Sequence, residues 1–499
     1  MTKQLRARFA VIPLGVLVAV ASLTTAAGAS TSEPAQRGSS GKKPNIVLIL
    51  TDDLDQTLYL DPSRYPKVNS LLVEEGTTFS NYFVTDSLCC PSRSSLLRGQ
   101  YVHNHDVRSN KPPLGGFEKF HTNGDEKSTI ATWMQGAGYR TGLLGKYLNG
   151  YPNGADATFV PPGWHEWASP IRNGGYSEYN YRLNENGTLV RHGATPQDYL
   201  TDVLSQKSGE FIQQSGDKPF FLYVAPFVPH APATPAPRYA DAFSGVQAPR
   251  TASFNQADMR AEPQWLRDRP LLNDQQIGSI DALYRKQLQS MLAVEDLIEH
   301  VVDMLRQTGK LDNTYIVLTS DNGFHLGQHR LRQGKITPFD EDIHVPLVVR
   351  GPGVPAGKKV DDFVANVDLA PTFAKLGTAE APDFVDGRSL ESAFRGKTGH
   401  DARKDVLVEQ FTGGGGQGAG PRAGRRGGAP PTYAAVRTAR YTYVEYVTGD
   451  RQLYDLRADP DQLHNIVSTA DPKLVRDLAK QLAALQKCKG SGCRVADRG

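Results

Sequence analysis

Residues Asn45-Ile46-Val47-Leu48-Ile49-Leu50 form an unbroken apolar run that ends at Thr51-Asp52-Asp53. A short run without polar alternation reads as a strand covered on both faces, the kind that builds parallel sheets. Its carboxyl end, where the two aspartates stand, is the place at which open parallel sheets bind ligands. Further apolar runs occupy residues 220–224, 315–319 and 345–349, with a shorter strand at 141–144. Between them the spacing of apolar residues predicts helices over 68–75, 128–137, 197–213 and 281–307. Strands alternating with helices predict an α/β fold, a mostly parallel central sheet with helices on both faces. Beyond about residue 400 short strands at 433–437 and 441–447 and a helix at 472–486 predict a smaller antiparallel subdomain.

Composition narrows the function classes. The 499 residues carry 56 Lys+Arg against 53 Asp+Glu, a balance that gives no nucleic-acid footprint. A hydrophobic share of 39% with 22% charged residues suits a folded chain rather than a disordered one. Lys3, Arg6 and Arg8 precede an apolar stretch from Phe9 to about Ala21, and Ala27-Gly28-Ala29 follows. This order predicts a secretory signal over 1–29, cleaved after Ala29, and a secreted protein with no membrane segment after cleavage. An uncleaved anchor is the competing reading, weakened by the short apolar run and the small-residue site. Residues 30–43 predict a flexible leader. The Gly/Arg-rich stretch 413–428 reads as a basic lid over an anionic substrate or, the favoured reading, as a surface insertion.

Four cysteines are present. In an exported chain Cys488 and Cys493 predict a small disulfide loop, against the alternative of two free thiols on a frayed tail. Adjacent Cys89 and Cys90 pair badly, because disulfide geometry is demanding. They require another reason.

Unusual polar residues recur at the strand ends. Lys146 follows 141–144, His230 stands six residues past 224, and Asp321-Asn322 follow 315–319. Asp52, Asp53, Asp321 and Asn322 together offer three carboxylates and an amide, which suits a hard divalent cation such as Ca²⁺ or Mg²⁺. Each pair alone reads as a turn or a cap; the combination is what points to a metal. Cys89-Cys90-Pro91-Ser92-Arg93 opens a predicted helix, with Pro91 near its start. Cys89 then sits at a helix N-terminus, where the backbone favours negative charge.

The five residues from Cys89 to Arg93 resemble the signature of the formylglycine-dependent sulfatases. Gly138-Tyr-Arg-Thr141-Gly-Leu-Leu-Gly145-Lys146-Tyr147 is similar to the family's second signature. Pro229-His230-Ala-Pro232, Ser320-Asp-Asn-Gly323, Gly334-Lys335 and Leu453-Tyr-Asp-Leu456 continue the resemblance in family order, from about residue 44 to 466. It implies an alkaline-phosphatase-like catalytic domain over 44–400 and a C-terminal subdomain over 401–499. It further implies that a formylglycine-generating enzyme oxidises Cys89 to Cα-formylglycine (3-oxoalanine), whose hydrate is the nucleophile. Asp52, Asp53, Asp321 and Asn322 would hold one Ca²⁺, with the oxygen of the converted Cys89 nearby. Arg93 would hold the hydrate and the metal cluster. Lys146, His230 and Lys335 would grip the sulfate and assist departure of the alcohol. With Ca²⁺ counted, such a pocket carries about two positive charges, suited to an anionic ester.

One departure stands out. Many relatives carry His two residues after the lysine, where this chain has Leu148; His325 is the candidate replacement. Lys146-Tyr-Leu-Asn-Gly-Tyr151, the doubled cysteine and Tyr101-Val-His103-Asn-His105 resemble most the N-acetylglucosamine-6-sulfatase branch. That implies sulfated amino sugars or glycosaminoglycan pieces as substrates. His103 and His105 are expected to brace the Cys89 helix rather than line the site. The competing activities are a phosphonate monoester hydrolase or phosphodiesterase on the same fold, and an arylsulfatase of broad specificity. A non-catalytic polysaccharide binder is disfavoured by the intact set of reactive side chains.

Overall fold

Strand β1, Asn45–Thr51, has all seven residues buried, because both of its faces are covered. The computed structural model describes residues 42–56, 61–172, 174–397, 399, 402–411 and 429–498. The expected signal (1–29), the leader as far as residue 41 and the stretch 413–428 lie outside the described residues. Among the described residues no helix is long and apolar enough to cross a membrane.

A ten-stranded sheet surrounds β1. Strands β2 (Thr77–Phe83), β3 (Arg140–Gly145), β4 (Glu166–Pro170), β5 (Arg182–Glu185), β6 (Thr188–Arg191), β7 (Phe220–Ala225) and β8 (Thr314–Ser320) belong to it. After a two-residue hairpin, β9 (His325–Leu326) with β10 (Gln333–Gly334), come β11 (Leu347–Arg350) and β12 (Lys358–Ala365). The order across the sheet is β12-β2-β11-β8-β1-β7-β3-β4-β5-β6. The middle, from β8 to β4, is parallel, which brings the carboxyl ends of β8, β1, β7 and β3 to one edge. The flanks are mixed: β11 runs antiparallel to both β8 and β2. A parallel return needs a long crossover, usually a helix. Here the link from β8 to β11 holds only the small hairpin and the single turn Asp340–Ile343.

Helices cover both faces. Ile46, Leu48 and Leu50 of β1 share an apolar cluster with helices α1 (Cys89–Arg98), α2 (Ile130–Gly136) and α5 (Leu369–Leu376). Val47 and Ile49 face α3 (Leu200–Gln214) and α4 (Asp274–Gln307) on the other side. Each such aliphatic side chain, fully buried, contributes roughly 1.5–3 kcal/mol. Sequence patterning passed over β2, β12 and α5. Thr77–Phe83 lacks an apolar run, β12 is a polar edge strand, and Pro371 obscures α5 although it lies in the first turn, where proline is tolerated. The helix expected over 68–75 is instead a short turn, Pro66–Val68, followed by a π-helical turn, Asn69–Val73.

A second sheet is antiparallel, with β13 (Asp405–Gln410), β14 (Tyr433–Thr438), β15 (Tyr441–Tyr446) and β16 (Arg451–Asp455) in order. Helix α6, Pro472–Leu485, lies behind it, and a disulfide joins Cys488 to Cys493. Val406, Leu407, Val436 and Tyr443 belong to the same apolar cluster as Ile46 and Leu48. The small sheet thus shares a core with one face of the large one.

Candidate active site at the carboxyl ends of the strands

The register of β1 on β8 pairs Thr51 with Ser320, so the residues that follow each strand emerge side by side. Asp53 adopts φ 67°, a left-handed conformation that Asp tolerates better than most residues. Its N–H donates to Asp321 Oδ1 at 3.3 Å, and Leu54 N–H donates to Ser320 Oγ at 3.0 Å. Asn322 Nδ2 donates to Asp53 Oδ1 at 2.7 Å. Three carboxylates and one amide therefore meet above the sheet.

Helix α1 supplies the next two groups. Cys89 is its first residue, and Arg93 lies four residues on, one turn along the same face. This is why the spacing Cys-x-Pro-Ser-Arg matters: one rigid element delivers both side chains. Arg93 Nε donates to Asp321 Oδ2 at 2.7 Å and Nη1 donates to the Lys146 carbonyl at 2.9 Å. Both side chains of the Arg93–Asp321 pair are out of solvent. Cys89 Sγ lies 3.5 Å from Asp52 Oδ1. Cys90, the next residue, is buried and belongs to the large apolar cluster.

Two lysines close the cluster. Lys146 follows β3 through Gly145, whose φ of +108° and 2.1 Å clearance between a notional Cβ and the Ala225 carbonyl admit only glycine. Its ammonium donates to Asp52 Oδ2 and lies 3.9 Å from Asp321. Lys335 leaves β10; its ammonium donates to Asp53 Oδ1 and lies 2.8 Å from Cys89 Sγ, 3.5 Å from Asn322 Oδ1 and 4.0 Å from Asp52 Oδ1. His230 Nδ1 donates to the Ala231 carbonyl at 2.6 Å, which turns Nε2 to within 3.6 Å of Asp53 Oδ2.

Burial opposes charge at Asp52, Asp53, Lys146 and Lys335, yet mutual attraction wins. Asp52 and Asp53 stay below the usual carboxylate range because Lys146, Lys335 and His230 face them. Lys146 and Lys335 stay above the usual lysine range because of Asp52 and Asp53. Burial, reinforced by Asp52, pushes the Cys89 thiol up to about 11. An unmodified Cys89 is therefore a protonated thiol and a poor nucleophile.

The donor set fits a hard divalent ion. The ligand atoms of Asp52, Asp53, Cys89 and His230 lie within 4.8 Å of one another. The Lys335 ammonium stands among Asp53, Asn322 and Asp52, so these oxygens already converge on a positive charge. Three carboxylates and an amide match the oxygen preference of Ca²⁺ or Mg²⁺.

His325 faces Asp342, with Nδ1 3.0 Å from both carboxylate oxygens, and pairs across the small hairpin with Gly334, the residue before Lys335. Leu148 is buried in the apolar cluster. His105 braces α1: Nε2 donates to Ser95 Oγ at 2.9 Å while Nδ1 accepts from Val107 N–H at 3.1 Å. His103 instead ties β13 to the disulfide loop, through Glu409 at 2.7 Å and the Cys488 carbonyl at 2.9 Å. Sequence reasoning missed Tyr176. Its ring lies 5.2 Å from Lys146 Nζ and 4.5 Å from the His230 ring. It lies on the Gly174-Gly175-Tyr176 turn, where a side chain at 175 would collide with Phe227, and no apolar run marks that turn in the sequence.

A sulfatase family profile matches residues 44–379. A second profile, described as N-sulphoglucosamine sulphohydrolase, C-terminal, matches residues 327–488. The N-acetylglucosamine-6-sulfatase of Homo sapiens is 38% identical over 488 residues, covering 91% of this chain and 86% of that one. A protein solved in complex with its substrate D-glucosamine-2-N,6-O-disulfate aligns with a TM-score of 0.72 at 23% identity, covering 89% of this chain and 98% of that one. The phosphonate monoester hydrolase of Silicibacter pomeroyi aligns with a TM-score of 0.69 at 26% identity, covering 88% and 93%.

Proposed function

The chain belongs to the sulfatase family and is a sulfuric ester hydrolase, and from that premise we propose that it is a secreted, Ca²⁺-dependent enzyme that removes sulfate from carbohydrates of the N-acetylglucosamine-6-sulfate kind. The observation that carries this reading is the meeting of Cys89 Sγ with Lys335 Nζ at 2.8 Å and Asp52 Oδ1 at 3.5 Å, above the buried Arg93–Asp321 pair. The substrate class rests on the similarity to an N-acetylglucosamine-6-sulfatase along nearly the whole chain. Secretion rests on the N-terminal pattern and is consistent with the disulfide.

Residues 44–400 would form the catalytic domain and 401–499 a subdomain. Asp52, Asp53, Asp321 and Asn322 would hold Ca²⁺, which supplies charge to polarise a sulfate oxygen. Cys89, oxidised by a formylglycine-generating enzyme, would supply as its hydrate an oxygen nucleophile and a second hydroxyl able to release bound sulfate. Arg93 neutralises Asp321 and anchors the Lys146 backbone, so one guanidinium orients two arms of the site. Lys146 and Lys335 present ammonium groups to the anionic ester, worth more in this dry setting than in water. The His230 Nε2, directed by the bond from Nδ1 to Ala231, is placed to exchange a proton with the departing alcohol.

The test is a parallel assay of the matured protein on 6-sulfated N-acetylglucosamine, an aryl sulfate and an aryl phosphonate monoester. The sugar sulfate should give the highest kcat/KM. Preference for the phosphonate would overturn the reaction class, and preference for the aryl sulfate would overturn the substrate class. Mass analysis of the Cys89 peptide should show a loss of about 18 Da, the difference between a CH₂SH and a CHO group.

A further inference from the structure

We propose that Tyr176 is a positioning and specificity-determining residue, whose ring fixes Lys146 and His230 and whose hydroxyl is the neutral donor this chain offers to sulfate in place of an imidazole at position 148. The inference rests on the sulfate-ester reading above and adds a residue to it.

The geometry starts from the turn. Tyr176 lies on the 3₁₀ turn Gly174–Ser177, and Gly175 lets that turn approach the Phe227 ring. Tyr176 then meets Phe227 edge-on, with ring centroids 5.0 Å apart. Against this backing its face looks toward Lys146, whose ammonium lies 5.2 Å from the centroid while bonded to Asp52 on its other side. A lysine held between a carboxylate and an aromatic face loses most of its freedom to swing. The same ring lies 4.5 Å from His230, tilted by 46°. His230 is thus fixed twice, by its bond to Ala231 and by this contact.

The hydroxyl has a defined partner as well. Asn149 Nδ2 donates to it at 3.0 Å, so the phenolic proton remains to be given to another acceptor. The ring that carries this hydroxyl lies 5.2 Å from Lys146 Nζ and 4.5 Å from the His230 ring, which places it beside the reacting centre. Tyr176 is half-buried and keeps part of its surface open to solvent. The position at which the family resemblance leads one to expect an imidazole is Leu148, buried away among apolar side chains. A neutral hydroxyl does not change its charge near neutral pH as an imidazole does, and its bond to a sulfate oxygen is charge-assisted.

Three proteins separate the ring from the hydroxyl: native, Tyr176→Phe and Tyr176→Leu. Two measurements apply to each, the Kd for inorganic sulfate by calorimetry, and kcat with KM on a sulfated monosaccharide. Tyr176→Phe keeps the ring and should fold normally. It should weaken sulfate about tenfold and raise KM similarly, with kcat within about threefold of native, the pattern of a lost binding contact. Tyr176→Leu should also lower kcat at least about tenfold, since Lys146 and His230 lose their wall. A Tyr176→Phe protein with native Kd and KM would overturn the hydroxyl's role. A Tyr176→Leu protein with the kcat of Tyr176→Phe would overturn the ring's role. Native protein that neither binds sulfate nor turns over any sulfate ester would instead overturn the underlying reading.

Discussion

At the scale of single residues, the site is an arrangement of opposite charges drawn largely out of solvent. Asp52, Asp53 and Asp321 are matched by Lys146, Lys335 and Arg93. Removing one member leaves a buried partner uncompensated, which costs several kcal/mol, so such variants confuse folding with chemistry. Cys89 is the better probe, because it carries no charge in the unmodified chain. Cys89→Ser should keep the thermal midpoint within about 2 °C of native yet abolish multiple turnover. A Ser variant that still cycles through many turnovers would remove the argument for an aldehyde. The residues at the strand ends were readable in advance, since each follows an apolar run by a few positions. Tyr176 was not, because its turn has no apolar run to mark it.

At the scale of elements, two devices hold the reactive groups in place. Gly145 ends β3 and launches Lys146. Gly145→Ala should destabilise the protein by roughly 1–3 kcal/mol from backbone strain alone. It should also weaken sulfate binding, because the Ala225 carbonyl must move; unchanged sulfate affinity would show that Lys146 does not depend on this turn. The second device is His105 under α1. Burial, aided by Arg98 and His103, brings it down to about 3, against about 6.5 in the unfolded chain. Between those values the unfolded chain binds the extra proton. Stability is therefore complete above about pH 6.5 and falls as the pH drops, at up to about 1.4 kcal/mol per pH unit for this one group. Thermal melts from pH 7 to 4 should show a shallower decline for His105→Asn than for native protein. An identical decline would assign the acid sensitivity to other groups, among them His329, which burial also brings down to about 3.

At the scale of the whole molecule, metal binding should report on folding as well as on turnover. If the oxygen cluster holds Ca²⁺, the ion binds the folded state alone. Stability should then rise by about 2.7 kcal/mol when free Ca²⁺ reaches a hundredfold excess over its Kd. A chelator should lower the thermal midpoint of the full chain and Ca²⁺ should restore it. A midpoint indifferent to both would remove the metal from these residues. The shared apolar cluster beneath the two sheets further predicts that this melt is a single transition.

The sequence by itself determined the central parallel strands and the order in which Asp52, Lys146, His230 and Asp321 reach one edge. It does so because a strand covered on both faces must be apolar throughout, and its polar residues can only gather where it ends. Tertiary structure decided what the loops do beyond those ends. It reversed β11, turned His325 toward Asp342, laid the Lys335 ammonium against Cys89 and brought Tyr176 over Lys146. Those placements depend on contacts between segments far apart in the chain, and no local period in the sequence encodes them.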